Sequence, residues 1–318
     1  MFRIVKTLAM ASAAVALLAA QTFAQDTPAA KIKVVATFSI LGDFVRQVGG
    51  DRVELTTLVG PNGDAHVYQP SPADARKVAE AKLVVMNGIG FEGWFERFIT
   101  ASGAKPRIAI ASSNVKALAA GIDDGEKAAG KKPDATAGHS HGAFDPHAWQ
   151  NVANAKAYVI EIKNGLEAAD PAGTATYEAN ATAYLAQLDA LDSEVRAGVA
   201  AIPPGRRRII TTHDAFGYFG KAYGMVFIAP QGVSTESEAS AKDVAKIIRQ
   251  IRAEKIPAVF LENISDDRMM QRIAAETGAK IGGKVFSDAL SPPDGPAATY
   301  VDMMRNNIRE FRGALAGT

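Results

Sequence analysis

The chain of 318 residues contains no cysteine. That absence excludes disulfide scaffolds, cysteine-type zinc fingers, iron–sulfur clusters and thiol catalysis together. Histidine is also scarce, with five in the whole chain. Any metal site must therefore be built from these few histidines, from Asp and Glu, or from backbone oxygen.

The chain also lacks an excess of charge of either sign, because 35 Lys and Arg residues are balanced by 34 Asp and Glu residues. Binding to nucleic acid independent of its sequence needs a clustered excess of Lys and Arg, so we expect no nucleic-acid partner. Hydrophobic residues make up 47% of the chain. This share is enough for a sizeable core and excludes disorder over most of the length.

No segment reaches the roughly 20 consecutive apolar residues that a membrane-spanning helix needs. Residues 1–24 instead have the features of a secretory signal peptide: Arg3 and Lys6, then an apolar stretch, then a small-x-small end at 22–24. We expect cleavage before Gln25 and export to the periplasm. Because a lipid anchor would require a cysteine just after the cleavage site, we expect a free protein in that compartment.

Short β-branched segments alternate with helix-patterned segments after residue 25, which predicts an α/β fold with mostly parallel sheets. The predicted strands are 32–37, 53–59, 82–87, 107–111, 208–212, 225–229, 258–262 and 280–286. The predicted helices include 41–48, 72–80, 241–254, 266–277, 297–315 and one that begins near 152. We expect two lobes, 25–170 and 203–318.

Residues 171–202 predict one long helix that links the two lobes. Its apolar positions recur at spacings of four and three, as in Tyr177, Ala181, Tyr184, Leu188, Leu191 and Val195. Such a helix can reach from one lobe to the other and restrain their relative motion. The alternative is an ordinary helix within one domain.

Residues 121–144 are rich in Gly, Ala, Lys and Asp and have no periodicity, which predicts a mobile surface loop. The loop contains His139 and His141. These two histidines either assist metal capture or belong to a solvated tether.

Three histidines and one aspartate fall at loop positions next to predicted elements. His66 and His213 follow predicted strands, Asp288 follows the strand that ends at residue 286, and His147 precedes the helix near 152. Open α/β sheets place ligands at the carboxyl ends of their strands. Imidazoles with one carboxylate and no thiolate suit Zn²⁺, although spacing alone does not show that these residues converge.

Four segments resemble the zinc/manganese solute-binding proteins of ABC importers: GDAHVYQPSP at 63–72, DPHAW at 145–149, THDAFGYF at 212–219 and ETGA at 276–279. The similarity runs in order from about Lys33 to the end. It implies two α/β lobes joined by a long helix, with one metal between them held by His66, His147, His213 and Asp288. It also implies a membrane permease with its cytoplasmic ATPase as partner, and we expect a monomer.

The resemblance favours zinc as the cargo over manganese. Manganese-preferring members of that family usually carry a glutamate at the position of His213, and imidazole suits zinc better than it suits manganese. Manganese or iron remains the alternative cargo. The chain departs from many zinc-type members in two ways: its loop holds only His139 and His141, and it cannot form their disulfide in the second lobe.

Carboxylates near the four residues are candidates to accept the second ring N–H of a metal-bound imidazole. These candidates are Asp64, Asp145, Asp214 and Glu262. Glu262 could instead be a fifth or substitute ligand, and each of the four could be a turn-forming or solvated acid.

Two other functions compete with metal transport. A secreted zinc hydrolase would need an open coordination position and a general base, and His139-Ser140-His141 lacks the preceding strand of a metallohydrolase His-x-His pair. An adhesin would use metal only structurally. We expect a binding protein and not an enzyme, and the sequence leaves open whether a metallochaperone passes metal to the loop.

Overall fold

The first half of the chain forms a sheet of four parallel strands. The computed structural model describes residues 30–121 and 143–316. Its first elements are β1 Ile32–Phe38, α1 Ser39–Gly49, β2 Val53–Val59, α2 Pro72–Glu80, β3 Leu83–Met86, α3 Phe95–Ser102 and β4 Arg107–Ile110. The strand order is β2-β1-β3-β4. Strand β1 is buried on both faces over Val34–Phe38, so its side chains are apolar without alternation except for Thr37.

The middle of the chain contributes one pair of short strands and two long helices. Antiparallel β5 Leu118–Ala119 and β6 Phe144–Asp145 are followed by α4 Val152–Ala169 and α5 Thr174–Ala200. Asn151 caps the start of α4, because its side chain accepts the Ala153 N–H. Helix α5 is shorter than the predicted 171–202, because Pro171–Gly173 form a separate 3₁₀ turn and the helix ends at Ala200.

The second half forms another sheet of four parallel strands. Its elements are β7 Arg208–Ile210, α6 Gly217–Tyr223, β8 Val226–Ile228, α7 Ala241–Glu254, β9 Ala258–Glu262, α8 Arg268–Thr277, β10 Lys280–Val285 and α9 Tyr300–Leu315. The strand order is β10-β9-β7-β8. Two mostly parallel sheets with packed helices confirm the predicted α/β fold class.

Helix α5 contacts helices from both halves of the chain. It packs against α1 and α4 next to the first sheet and against α9 next to the second. All six residues of the predicted apolar stripe are buried. The helix therefore belongs to the main hydrophobic core that both sheets share. Where one lobe ends and the next begins stays a prediction.

A second, smaller apolar cluster lies in the second half. Residues from β7–β9, α7 and α8 form it, among them Ile210, Ile247, Ile251, Val259 and Met270. In a chain without cysteine, this packing holds α7 and α8 on the sheet. Within the described ranges, no helix has both the length and the apolar character needed to cross a membrane.

Candidate metal centre

The structure brings His66, His147, His213 and Asp288 together. One ligand atom from each lies within 4.8 Å of all the others. The loops after β2, β7 and β10 carry His66, His213 and Asp288, and His147 follows β6. His66 is 4% exposed and the other three side chains are fully buried. Parallel strands thus deliver distant residues to one buried cluster.

The separations within the cluster suit a tetrahedral metal ion. The Nε2 atom of His147 lies 3.3 Å from that of His66 and 3.4 Å from that of His213. Asp288 Oδ2 lies 3.2 Å from His66 Nε2 and 3.1 Å from His213 Nε2. In a tetrahedral zinc site with bonds of about 2.0–2.1 Å, ligand atoms lie about 3.3 Å apart. These four separations are close to that value, and all four ligand atoms lie within 4.8 Å of one another.

Asp145 orients His147. Its Oδ1 accepts the His147 backbone N–H at 2.9 Å and faces ring Nδ1 at 2.7 Å. Because Nδ1 donates to the carboxylate, Nε2 is the nitrogen left to bind a metal. The aromatic ring of Trp149 packs against the imidazole at 5.3 Å.

Glu262 orients His213 from the end of β9. One of its oxygens accepts the backbone N–H groups of Thr212 and His213, and the other lies 2.5 Å from His213 Nδ1. Both carboxylate oxygens are therefore engaged on the far side of the imidazole from the cluster. This geometry favours an orienting role for Glu262 over that of a fifth ligand.

His66 is placed by a tight turn after β2. Asn62 adopts a left-handed conformation with φ 55°, which Asn tolerates better than most residues, and its N–H donates to Leu290 O in the second half of the chain. Asp64 then accepts the His66 N–H. The ring of Phe91 packs on the His66 imidazole at 4.6 Å.

Asp288 is anchored through its neighbour Ser287. The side chains of Trp149 and Gln150 both donate to the Ser287 carbonyl, at 2.9 and 2.7 Å. Neither carboxylate oxygen of Asp288 accepts a conventional hydrogen bond within the part of the chain that is described. A buried carboxylate in this state is suited to a cation.

The charges of the cluster shift the pKa values of its members. Burial lowers the pKa of His66. Burial also opposes charge on His147, but Asp288 and Asp145 outweigh it and raise the pKa of His147 to about 9. For His213, Glu262 and Asp288 likewise outweigh burial and raise the pKa well above its ordinary value. Burial opposes charge on Asp288 too, but the two imidazoles hold the pKa of its carboxyl well below the usual range.

Sequence reasoning missed Glu92 and Phe91. The buried Glu92 carboxylate accepts the N–H groups of Asn87 and Gly88 and the hydroxyl of Thr37, and so closes the turn that carries Phe91. The Gly88-x-Gly90 pattern after β3 could have drawn attention to these residues. Glycine-rich turns at the carboxyl ends of strands lie at the edge where open α/β sheets bind ligands.

The remaining predicted residues are one aspartate within the described part of the chain and two histidines outside it. Asp214 lines a cavity beside Asp145, and its backbone N–H donates to Gly232 O. His139, His141 and the signal segment 1–24 lie outside the described residues. Their predicted roles stay predictions.

A family comparison matches nearly the whole chain after its first 33 residues. The family described as "Zinc-uptake complex component A periplasmic" matches residues 34–314. The match covers all four residues of the cluster and both sheets.

Individual relatives differ in the metal that they are named for. The chain is 31% identical over 306 residues to a manganese-binding lipoprotein of Halalkalibacterium halodurans, covering 95% of this chain and 96% of that protein. It is 32% identical over 295 residues to an iron-binding protein of Yersinia pestis, covering 92% and 90%. The solved structure of a periplasmic zinc-binding protein from Treponema pallidum superposes with a TM-score of 0.80 at 30% identity, covering 90% of this chain and 100% of that one.

Proposed function

Because the chain belongs to the family of the periplasmic component A of zinc-uptake complexes, we propose that it captures Zn²⁺ in the periplasm and delivers it to a membrane permease. Family members are substrate-binding proteins of metal ABC transporters and not enzymes. Such a protein works with a permease and an ATPase. Beyond this role, which the family shares, we propose which metal is bound, in which compartment and by which residues.

The proposed ligands are His66, His147, His213 and Asp288. The convergence of their ligand atoms, all within 4.8 Å of one another in a buried cluster, is the single observation that carries the proposal. Two of the three imidazoles already have a carboxylate on Nδ1, so Nε2 points at the common centre. With four protein ligands and nearly complete burial, the centre has the closed character of a binding site. A catalytic zinc would keep one position open for water.

Zinc suits this donor set better than manganese does. Three imidazoles and one carboxylate provide mostly nitrogen ligands, whereas manganese prefers carboxylate, carbonyl and water oxygen. Manganese or iron is the second candidate cargo, and it is favoured by the names of the manganese-binding and iron-binding relatives.

We place the ligand pairs on two lobes, 25–170 and 203–318, linked by α5. Helix α5 packs on helices of both halves, which supports a linker that allows only small movements of the lobes. We further propose that the protein acts as a monomer and that the loop 121–144, with His139 and His141, receives metal from solution or from a metallochaperone.

Competition between metals tests the proposed cargo. The metal-free protein is titrated with Zn²⁺ and with Mn²⁺ against a chromophoric chelator, and a variant with His139→Ala and His141→Ala serves as the matched control. We expect one tight zinc per chain, at least about a hundredfold tighter than manganese, in both proteins. Equal or tighter manganese binding would contradict zinc as the cargo, and loss of the tight site in the control would move the site to the loop.

A further inference from the structure

His66 differs from the other two histidines in how its ring is held. His147 and His213 each have a carboxylate at Nδ1, whereas His66 Nδ1 has no hydrogen-bond partner within residues 30–121 and 143–316. Packing on Phe91 holds the ring instead. The position of His66 therefore depends on how firmly its backbone is fixed.

Asp64 fixes that backbone and also reaches the second half of the chain. Its Oδ1 accepts the His66 N–H at 2.9 Å, and its Oδ2 accepts the Thr235 hydroxyl at 2.6 Å. Asp145 stands at the same spacing before His147, but its Oδ1 faces both the backbone N–H and the ring nitrogen of that histidine. The second oxygen of Asp64 therefore forms a hydrogen bond to the other half of the chain, whereas Asp145 Oδ1 contacts the histidine that follows it, His147.

Thr235 is in turn tied to His213. Gln231 forms an isolated parallel bridge with His213, and its side chain donates to the carbonyls of Thr235 at 3.3 Å and Ser237 at 2.8 Å. A continuous series of contacts therefore joins His66 to His213 through Asp64, Thr235 and Gln231. Such a series can couple the position of one residue to the other.

The loop that carries Thr235 also covers His66. A crevice of about 30 Å³ reaches the cluster, and His66 is the only one of the four residues that lines it. Its walls include Phe91, Phe144, Val233, Ser234 and Glu236. The segment 233–236 therefore closes the side on which the cluster is nearest to solvent.

We propose that Asp64 and Thr235 form a latch that holds His66 against the bound metal, and that the metal leaves past His66 when this hydrogen bond breaks. Both are positioning residues, since they act through His66 and through the loop over it. The inference rests on the proposed function, because it requires a metal bound by His66.

The test measures the rate of zinc dissociation into excess chelator for the parent protein, Thr235→Val and Thr235→Ser. Valine keeps the shape of threonine and removes the hydroxyl, while serine keeps the hydroxyl. Because a hydrogen bond to a carboxylate is among the stronger ones, we expect dissociation roughly tenfold faster in Thr235→Val and within about twofold of the parent in Thr235→Ser. Cobalt-substituted protein should keep its visible absorption bands in both variants, because the ligand set is unchanged.

A double-mutant cycle separates the latch from a general effect on the loop. Asp64→Ala should also speed dissociation, and adding Thr235→Val to it should change the rate by less than about twofold. Additive effects, or a Thr235→Val rate equal to that of the parent, would overturn the latch. If the parent binds one zinc and only these rates fail, the proposed function stands; if the parent binds no zinc, the proposed function itself fails.

Discussion

Nearby carboxylates favour the charged form of His147 and His213 in the metal-free protein, whereas burial favours the neutral form of His66. Asp288 and Asp145 raise the pKa of His147 to about 9, and Glu262 with Asp288 raises that of His213, against the opposing effect of burial. Burial lowers the pKa of His66. Protons on these two imidazoles would therefore compete with a metal dication for the same carboxylate-rich region.

Zinc binding should therefore release protons at neutral pH. A metal-bound imidazole must be neutral at Nε2, so at pH 7.5 His147 and His213 each lose a proton, while Asp288 is already ionised. We expect about two protons per zinc, measured by calorimetry in buffers of different ionisation enthalpy. Because protons compete with zinc for the imidazole nitrogens, zinc affinity should fall as the pH drops below about 9, the pKa of His147. Zinc binding without proton release at pH 7.5 would contradict these protonation states.

The sequence could indicate the four residues that the fold brings together, but not the contacts that hold them. His66, His147, His213 and Asp288 could be singled out because each lies next to a predicted strand or helix in a recognisable segment. Thr235 could not, since its partner Asp64 is 171 residues away and only the packed fold makes them neighbours. The same applies to Phe91, whose contact with His66 depends on a turn closed by Glu92.

At the scale of elements, local signals gave correct bounds where they were strong. α2 and α7 both begin with a capping box, Ser71 with Asp74 and Ser240 with Asp243, and both match their predicted bounds. Five of the eight strands were predicted one or two residues too long at their carboxyl ends, whereas 53–59 and 258–262 match and 32–37 was one residue too short. For example, β7 ends at Ile210, and the N–H of Thr212 donates to the Glu262 carboxylate instead of to a neighbouring strand. The chain departs from the sheet at the residues that form the site.

Two short helices escaped prediction because tertiary contacts form them. α3 and α6 have no side-chain cap at their start, and α6 contains Gly217 and Gly220, which favour turns. A Cβ at Gly220 would lie 2.6 Å from the Met225 carbonyl oxygen, so the close approach of these two segments requires glycine. Packing of Phe219 on Phe227 and Phe311 then supports the helix.

Helix α5 should contribute to stability through its buried stripe. Leu188 is fully buried in the main core, while its neighbour Gln187 is exposed. We expect Leu188→Ala to lower the free energy of unfolding by about 2–5 kcal/mol and Gln187→Ala to change it by less than about 0.5 kcal/mol, as measured by urea denaturation of the metal-free protein. Similar small effects for both variants would mean that α5 does not pack as a core helix.

At the scale of the whole molecule, hydrogen bonds near the site join the two halves of the chain in addition to helix α5. Asn62 donates to Leu290, Trp149 and Gln150 donate to Ser287, and the Leu290 N–H donates to Ser39. Each contact lies next to a proposed ligand or in its loop. The proposed metal site therefore lies where the two halves of the chain already meet, so we expect binding and release to involve local loop movement more than a large closure of lobes.

The metal content of the protein purified from the periplasm without added metal tests the central claim most directly. Elemental analysis compares the parent, His213→Ala, and the control with His139→Ala and His141→Ala. We predict about one zinc per chain in the parent and the control and a clear loss in His213→Ala. Manganese or iron in place of zinc would contradict the proposed cargo, and unchanged zinc in His213→Ala would contradict the four-residue site.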